Sequence, residues 1–289
     1  MSYHLIIGDF AYSSWSLRAW LLFDRFGLRV RTTRLDFSTQ DVAHQLRAYR
    51  PARTVPTLIT PEGAIVSDSL AIAEELATRH PDAGLWPTDP LRRATARTLA
   101  AEMHAGFQAL RSACPMALRV AYAGFDPAAE VRADLARIEE IWAHAKGHAG
   151  DGPWLLGAYS AADAFYAPVA ARIATYGLPV GAAAQAYVDA HLADPAFRRF
   201  RAVGLVTGAD LPWYAKNLPC RPWPGPVPRP AQPADGPSEN ATCPYSGKPV
   251  AHFLEMEGRT FGFCNPDCRD KTIADPEAWP AFMALVNHS

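Results

Sequence analysis

The sequence predicts three parts in succession: a small α/β domain, an all-α domain and a compact cysteine-bearing α+β module. Three observations carry this. Strand-like and helix-like segments alternate over the first eighty-odd residues. Almost every periodic segment after Pro87 has helical spacing. A proline run, PCRPWPGPVPRPAQPADGP at 219–237, then holds eight prolines in nineteen residues before a short cysteine-containing stretch. The corresponding boundaries are 1–84, 85–210, a linker over 211–240, and 241–289. The 289 residues suit about two full domains, and a 49% hydrophobic content supplies a sizeable core.

Each element follows from local pattern. Residues 3–8 form a short β-rich run. Residues 14–26 place Leu17, Trp20 and Leu21 on one helical face. Residues 30–36 alternate as a strand, and 41–49 read as helix. The apolar runs 57–60 and 64–66, separated by Pro61, Glu62 and Gly63, signal a hairpin. Residues 68–80 are helical again, giving the order βαβαββα. Beyond them lie helical stretches at 91–110, 130–148, 160–176, 182–192 and 195–206. Proline fixes φ and lacks an amide donor, so the 219–237 run is neither helix nor central strand and reads as an extended strap. In the last part, 252–263 looks like a hairpin turning at Glu257 and Gly258, and a helix begins at Asp267.

Lys plus Arg is 28 and Asp plus Glu is 29, a net charge of −1, so no global field draws nucleic acid or an anionic membrane. The start, MSYHLIIGDF, lacks a basic segment followed by an apolar run. No stretch reaches the ~20 apolar residues that span a bilayer. The expectation is a cytoplasmic protein whose five cysteines are free thiols or metal ligands.

Three motifs in the first domain carry chemistry. The first is Tyr-Ser-Ser-Trp-Ser-Leu-Arg at 12–18, directly after the first strand. One serine there is explained as a helix N-cap; three suggest a hydroxyl aimed at an anion over a helix N-terminus. The second is Arg53, Thr54, Val55, Pro56, where the proline opens a strand. The third is Asp68, Ser69, Leu70, Ala71, Ile72. This pair is either a helix cap or a holder for a ligand's amino and carboxylate groups.

In their order and spacing, these motifs resemble the glutathione S-transferase family over about residues 1–210. The type is that of bacterial transferases with a Ser-Ser-Trp-Ser-Leu-Arg first helix, related to the zeta class; SDSLAIAEEL and GLWPTDP add to the likeness. The resemblance implies a thioredoxin-like domain holding glutathione, an all-helical domain covering the second substrate, and a homodimer. It implies that Ser13, with Ser14 as the alternative, activates the thiol. Val55 would pair with the cysteinyl backbone, with Pro56 cis, and Asp68 and Ser69 would hold the γ-glutamyl end. Thr54 departs from the usual zeta glutamine. The partner is then a small-molecule electrophile, attacked by a glutathione thiolate or isomerised with its help. The alternative is a non-catalytic glutathione-binding or metal-linked interaction protein.

Met103, His104, Phe107 and Arg111 lie at helical spacing in the helical domain and are read either as core or as lining of the electrophile pocket. Trp213, Tyr214 and Trp223 flank the strap. In the last segment Cys243 precedes Cys264 and Cys268, with the hairpin between them. This resembles the small treble-clef-like YHS, TRASH and MYM zinc modules. Ser246 stands where those modules carry a second cysteine. The likeness implies a zinc site of Cys243, Cys264 and Cys268, completed by His252; the alternative is a metal-free module held by its aromatic residues.

Overall fold

The computed structural model describes residues 2–149 and 151–287. The chain forms two compact units. One runs up to Leu192 and includes Ala209–Gly225; the other joins Ala193–Gly208 to the chain from Pro226 onward.

The first unit opens with β1 (Tyr3–Ile7), α1 (Ser14–Asp24), β2 (Val30–Arg34), α2 (Val42–Gln45), β3 (Thr57–Ile59), β4 (Ile65–Ser67) and α3 (Ser69–Arg79). These strands form one sheet in the order β2-β1-β3-β4. β1 runs parallel to β2, pairing Leu5 with Thr32, and antiparallel to β3, pairing Leu5 with Leu58. All of β1 is buried, which explains its unbroken β-rich run. Ile6, Leu35, Leu46 and Ala52 make one core cluster of this domain. The sheet holds the first turns of α1 and α3 and the segment before β3 within one unit.

The helical part follows as α4 (Pro90–Ala105), α5 (Gln108–Ala113), β5 (Ala121–Tyr122), α6 (Ala129–Lys146), α7 (Ala161–Tyr176) and α8 (Ala182–Ala193). Every residue of α7 is buried, and the helix packs on α1 and α4. Its start is fixed by a capping box. The Asp163 carboxylate accepts from the Leu155 and Ser160 amides at 3.0 and 2.8 Å and from the Tyr187 hydroxyl at 2.9 Å. These donors offset the burial of its charge, although burial still raises its pKa.

The second unit contains α9 (Pro195–Val206), β7 (Gln232–Ala234), β8 (His252–Met256), β9 (Arg259–Phe263), α10 (Pro266–Ala274) and α11 (Pro280–Asn287). Its sheet has the order β7-β8-β9. The β8–β9 turn places Glu257 at φ 56° and Gly258 at φ 75°, the paired left-handed geometry of a tight hairpin. Leu254, Phe261, Phe263, Trp279 and Phe282 form its core with Ala202 of α9 and Cys243. Arg198 of α9 holds Asp275 through two bonds, of 2.8 and 2.7 Å.

Four features differ from the sequence reading. The stretch 91–110 is two helices, because Gly106 ends the first and Phe107 adopts φ 57° before α5. Residues 41–49 split into α2 and a 3-10 turn at Leu46–Tyr49. α9 lies in the second unit and not in the helical domain, because its apolar face packs on the small module's core. The proline strap is divided between the units and contributes two strands. β6 (Cys220–Arg221) pairs with β5, and β7 takes the sheet edge, where Pro233 needs no donor on its open side. The two strands are too short to leave a periodic signal.

Asp163→Ala leaves two buried amides and the Tyr187 hydroxyl without their acceptor. We expect a loss of roughly 3 kcal/mol, read as a lowered thermal midpoint.

Candidate functional site

A cavity of about 650 Å³ opens in the first unit. Four stretches close in sequence supply most of its wall: Tyr12–Trp15 at the start of α1, Arg53–Pro56 before β3, Asp68 and Ser69 at the start of α3, and Gln108, Arg111 and Ser112 along α5. Phe37, Val42, Pro115, Met116, Arg172 and Tyr214 also line it.

The serines at α1 have different partners. Ser13 is the N-cap: its Oγ accepts from the Ser16 amide at 3.4 Å and donates to Ser16 Oγ at 2.8 Å. Ser16 Oγ in turn accepts from the Gly8 amide at 2.9 Å. Ser13 is therefore committed to the helix start. Ser14 Oγ instead accepts an N–H from Arg172 at 3.3 Å. A hydroxyl whose oxygen is held by a cation has its single proton left to donate. A Cβ at Gly8 would lie 2.2 Å from the Phe37 ring, so any larger residue there would displace that ring.

Around Ser14 the charge is positive. Arg18 is 1% exposed, stacks 4.3 Å over Trp15, and has no hydrogen-bond partner at Nε or Nη1. Arg111 stacks 4.6 Å over the same ring. Burial and neighbouring arginines lower Arg18 to about 9 and Arg172 to about 10, so both remain cations at neutral pH. Burial pushes the Cys114 thiol up to about 11, which makes it a packing residue and not a nucleophile.

On the β3 side, the Val55–Pro56 bond is cis and Val55 lies before the ladder that begins at Thr57. Asp68 adopts φ 95°, a strained conformation for a residue with a side chain. Its Oδ1 accepts from the Leu70 and Ala71 amides at 2.8 and 3.2 Å, while Oδ2 meets His104 Nε2 at 3.2 Å. The next residue, Ser69, is fully buried, lines the cavity, and its hydroxyl has no partner. Buried hydroxyls are ordinarily bonded, so this one, open at a helix N-terminus, is free to donate to an acceptor in the cavity.

Ser13, Ser14, Arg53, Thr54, Val55, Pro56, Asp68 and Ser69 thus share one cavity. Of the four helical-domain candidates only Arg111 lines it. Met103 and Phe107 are buried core residues, and the His104 ring is taken up by Trp15 and Asp68. The reason is the break at Gly106, which redirects the chain before α5. Sequence reasoning missed Gln108, Ser112 and Met116, and above all Arg172, whose signal was a lone charge in an apolar helical run.

In the second unit the sulfur atoms of Cys243, Cys264 and Cys268 lie within 4.8 Å of one another. His252 is not among them; it opens β8 opposite Phe263. Ser246 lies beside the trio, its hydroxyl donating to Cys264 Sγ at 3.2 Å. Burial opposes ionisation of Cys243, yet amide donors from Cys264, Tyr245 and Ser246 and the Ser246 hydroxyl bring its pKa below the usual thiol range. Burial raises that of Cys268. Three soft donors this close together fit a thiophilic ion such as zinc.

A family model for the glutathione S-transferase N-terminal domain matches residues 12–79. A probable maleylacetoacetate isomerase of Caenorhabditis elegans is 33% identical over 99 residues, 34% of this chain and 45% of that protein. Protein IN2-1 homolog A of Oryza sativa subsp. japonica is 30% identical over 161 residues, 55% of this chain and 61% of that protein. The chain spans about half to three-fifths of the length of these relatives. A glutathione transferase homologue from Burkholderia, solved with bound glutathione, superposes with TM-score 0.53 at 22% identity, covering 72% of this chain and 100% of that one. Glutathione transferase Omega 2S of Trametes versicolor gives 0.55 at 19% identity, covering 74% and 99%. Residues 12–79 are thus similar to the glutathione S-transferase N-terminal domain, and the likeness to the solved glutathione transferases is one of fold.

Because Ser13 caps α1, Ser13→Ala is expected to cost about 1 kcal/mol of stability, and Ser14→Ala less, in paired denaturant melts.

Proposed function

We propose that this chain is a glutathione-dependent transferase whose thiol is activated at the start of α1. The observation that carries the reading is the buried, unpartnered Ser69 hydroxyl in the same cavity as a Ser14 hydroxyl with a proton to donate. In this reading Ser69 and the first amides of α3 take the γ-glutamyl carboxylate, and Asp68 takes the amino group. The Val55 backbone pairs with the cysteinyl unit, Arg53 and Thr54 lie by the glycyl end, and the sulfur meets Ser14.

The chemistry follows from thiol acidity. A free thiol has a pKa near 8.5, and the thiolate is the nucleophile. Each unit of lowering requires about 1.4 kcal/mol of preferential stabilisation of the anion. One charge-assisted hydrogen bond supplies about 1.5–3 kcal/mol, enough for one to two units. The thiolate then attacks an electrophilic carbon. It either displaces a leaving group, or adds and later departs once a double bond has rearranged. The 12–18 motif contains no cysteine, so a mixed disulfide with the protein at this position plays no part.

In the second unit the three clustered thiols support a second reading, that of a bound metal ion. Cys243, Cys264 and Cys268 would hold it, with Ser246 at the remaining position in place of His252. When bound, the ion would supply a structural cross-link between the Cys243 turn and the start of α10.

Two measurements test these readings. Glutathione added to the full chain at neutral pH is expected to give the ultraviolet signal of a thiolate, lost in Ser14→Ala and kept in Ser13→Ala. Loss in Ser13→Ala alone moves the sulfur site one residue back, and binding without ionisation favours a non-catalytic protein. Elemental analysis of purified protein is expected to find about one thiophilic ion per chain, absent from Cys264→Ala and retained by His252→Ala.

A further inference from the structure

Arg172 lines the cavity although it is 4% exposed, in a helix otherwise built almost wholly from apolar residues. Its Nε donates to the Cys114 carbonyl at 2.8 Å, its Nη1 to the Pro168 carbonyl at 3.3 Å, and its Nη2 to Ser14 Oγ at 3.3 Å. All three acceptors are neutral. Among the described residues no carboxylate forms an ion pair with Arg172. The groups facing it do not supply the missing charge. Arg111 on α5 and Arg18 on α1 are cations. Cys114, Tyr176 and Tyr214 are all pushed upward by burial and stay protonated at neutral pH.

A buried guanidinium with no counter-ion is costly. Arg172 and Ser14 both line the cavity, so an anion bound there can balance the guanidinium. We infer that Arg172 is a positioning residue for thiol activation, holding the Ser14 oxygen so that the Ser14 proton is directed to the glutathione sulfur. Its charge then favours the thiolate over the thiol, and the thiol proton leaves to solvent. No covalent bond to Arg172 is made. This inference rests on the transferase reading and adds to it a residue on the helical domain, far in sequence from the α1 motif.

The test titrates the thiolate absorbance of protein-bound glutathione between about pH 5 and 9 in the wild type, Arg172→Gln and Arg172→Lys. S-methylglutathione, which has no ionisable sulfur, serves as the binding control. The expected result is a bound-thiol pKa about one unit or more higher in Arg172→Gln, roughly a tenfold loss of thiolate below that pKa. Arg172→Lys should restore part of the shift, and S-methylglutathione affinity should stay within about threefold throughout. A merely structural role would lower the melting temperature and weaken both ligands together while leaving the pKa unmoved, which overturns the inference. If Arg172→Gln does not fold, Arg172→Met, close to it in volume and uncharged, makes the same comparison against Arg172→Lys. A wild type that binds glutathione without ionising it removes the transferase reading and this inference together. Ionisation that persists at the same pKa in every Arg172 variant removes this inference alone. A change confined to the affinity of a carboxylate-bearing electrophile also overturns it, since Arg172 would then serve the second substrate.

Discussion

The arrangement of the first unit depends on one buried carboxylate. Asp163 gathers the Leu155 and Ser160 amides and the Tyr187 hydroxyl at the start of α7. That contact fixes where α7 begins and, through the rise of a helix, where each later residue lies along it. Since α7 packs against α1, its register determines which side chain meets the first turn of α1. Arg172 meets Ser14 because the helix starts where it does. The capping box and the cavity are thus two ends of one constraint, although neither touches the other.

The two walls of the cavity have opposite electrostatics, and the difference comes from backbone as much as side chains. At α3, an acidic cap and a strained residue hold Asp68 with His104 at one side and the Ser69 hydroxyl open beside it. Opposite it, the guanidiniums of Arg18 on α1, Arg111 on α5 and Arg172 on α7 gather at Trp15 and Ser14, with no carboxylate paired to them among the described residues. A zwitterionic ligand with an ionisable sulfur matches such a gradient: amino and carboxylate groups at the α3 end, the developing anion at the α1 end. A neutral ligand would leave the Arg172 charge unbalanced.

Much of this was legible in the sequence, for a physical reason. The Tyr-Ser-Ser-Trp-Ser-Leu-Arg, Val-Pro and Asp-Ser motifs sit at element starts, where local chemistry dictates capping and strand entry, so their places follow from short-range rules. What escaped was decided at long range. Phe107 takes a left-handed conformation that no apolar period announces. β5 and β6 are two residues each, paired across almost a hundred positions. α9 has the pattern of any amphipathic helix, and only the partner for its apolar face shows that it belongs with the small module. Arg172 was visible as a charge in a buried run, but its contact with Ser14 is set by the packing of α7 on α1.

The second unit shows how a small module can be held by several unlike devices. Its core is short: Leu254, Phe261, Phe263, Trp279 and Phe282 with a few neighbours. Modules of this size need staples beyond their apolar burial. Arg198 supplies one by tying α9 to Asp275, a pairing that resists water because both groups are largely covered. Lys271 supplies another, its ammonium held 4.3 and 4.2 Å from the rings of Tyr245 and Trp279. The thiol trio brings the Cys243 turn and the start of α10 to one point. In the metal-bound reading, Ser246 at the remaining position would be a harder, weaker donor than a thiolate, which would lower affinity for a soft ion. With α9 and the Arg198 pair fixing the module, such a ligand set would not have to carry the fold alone.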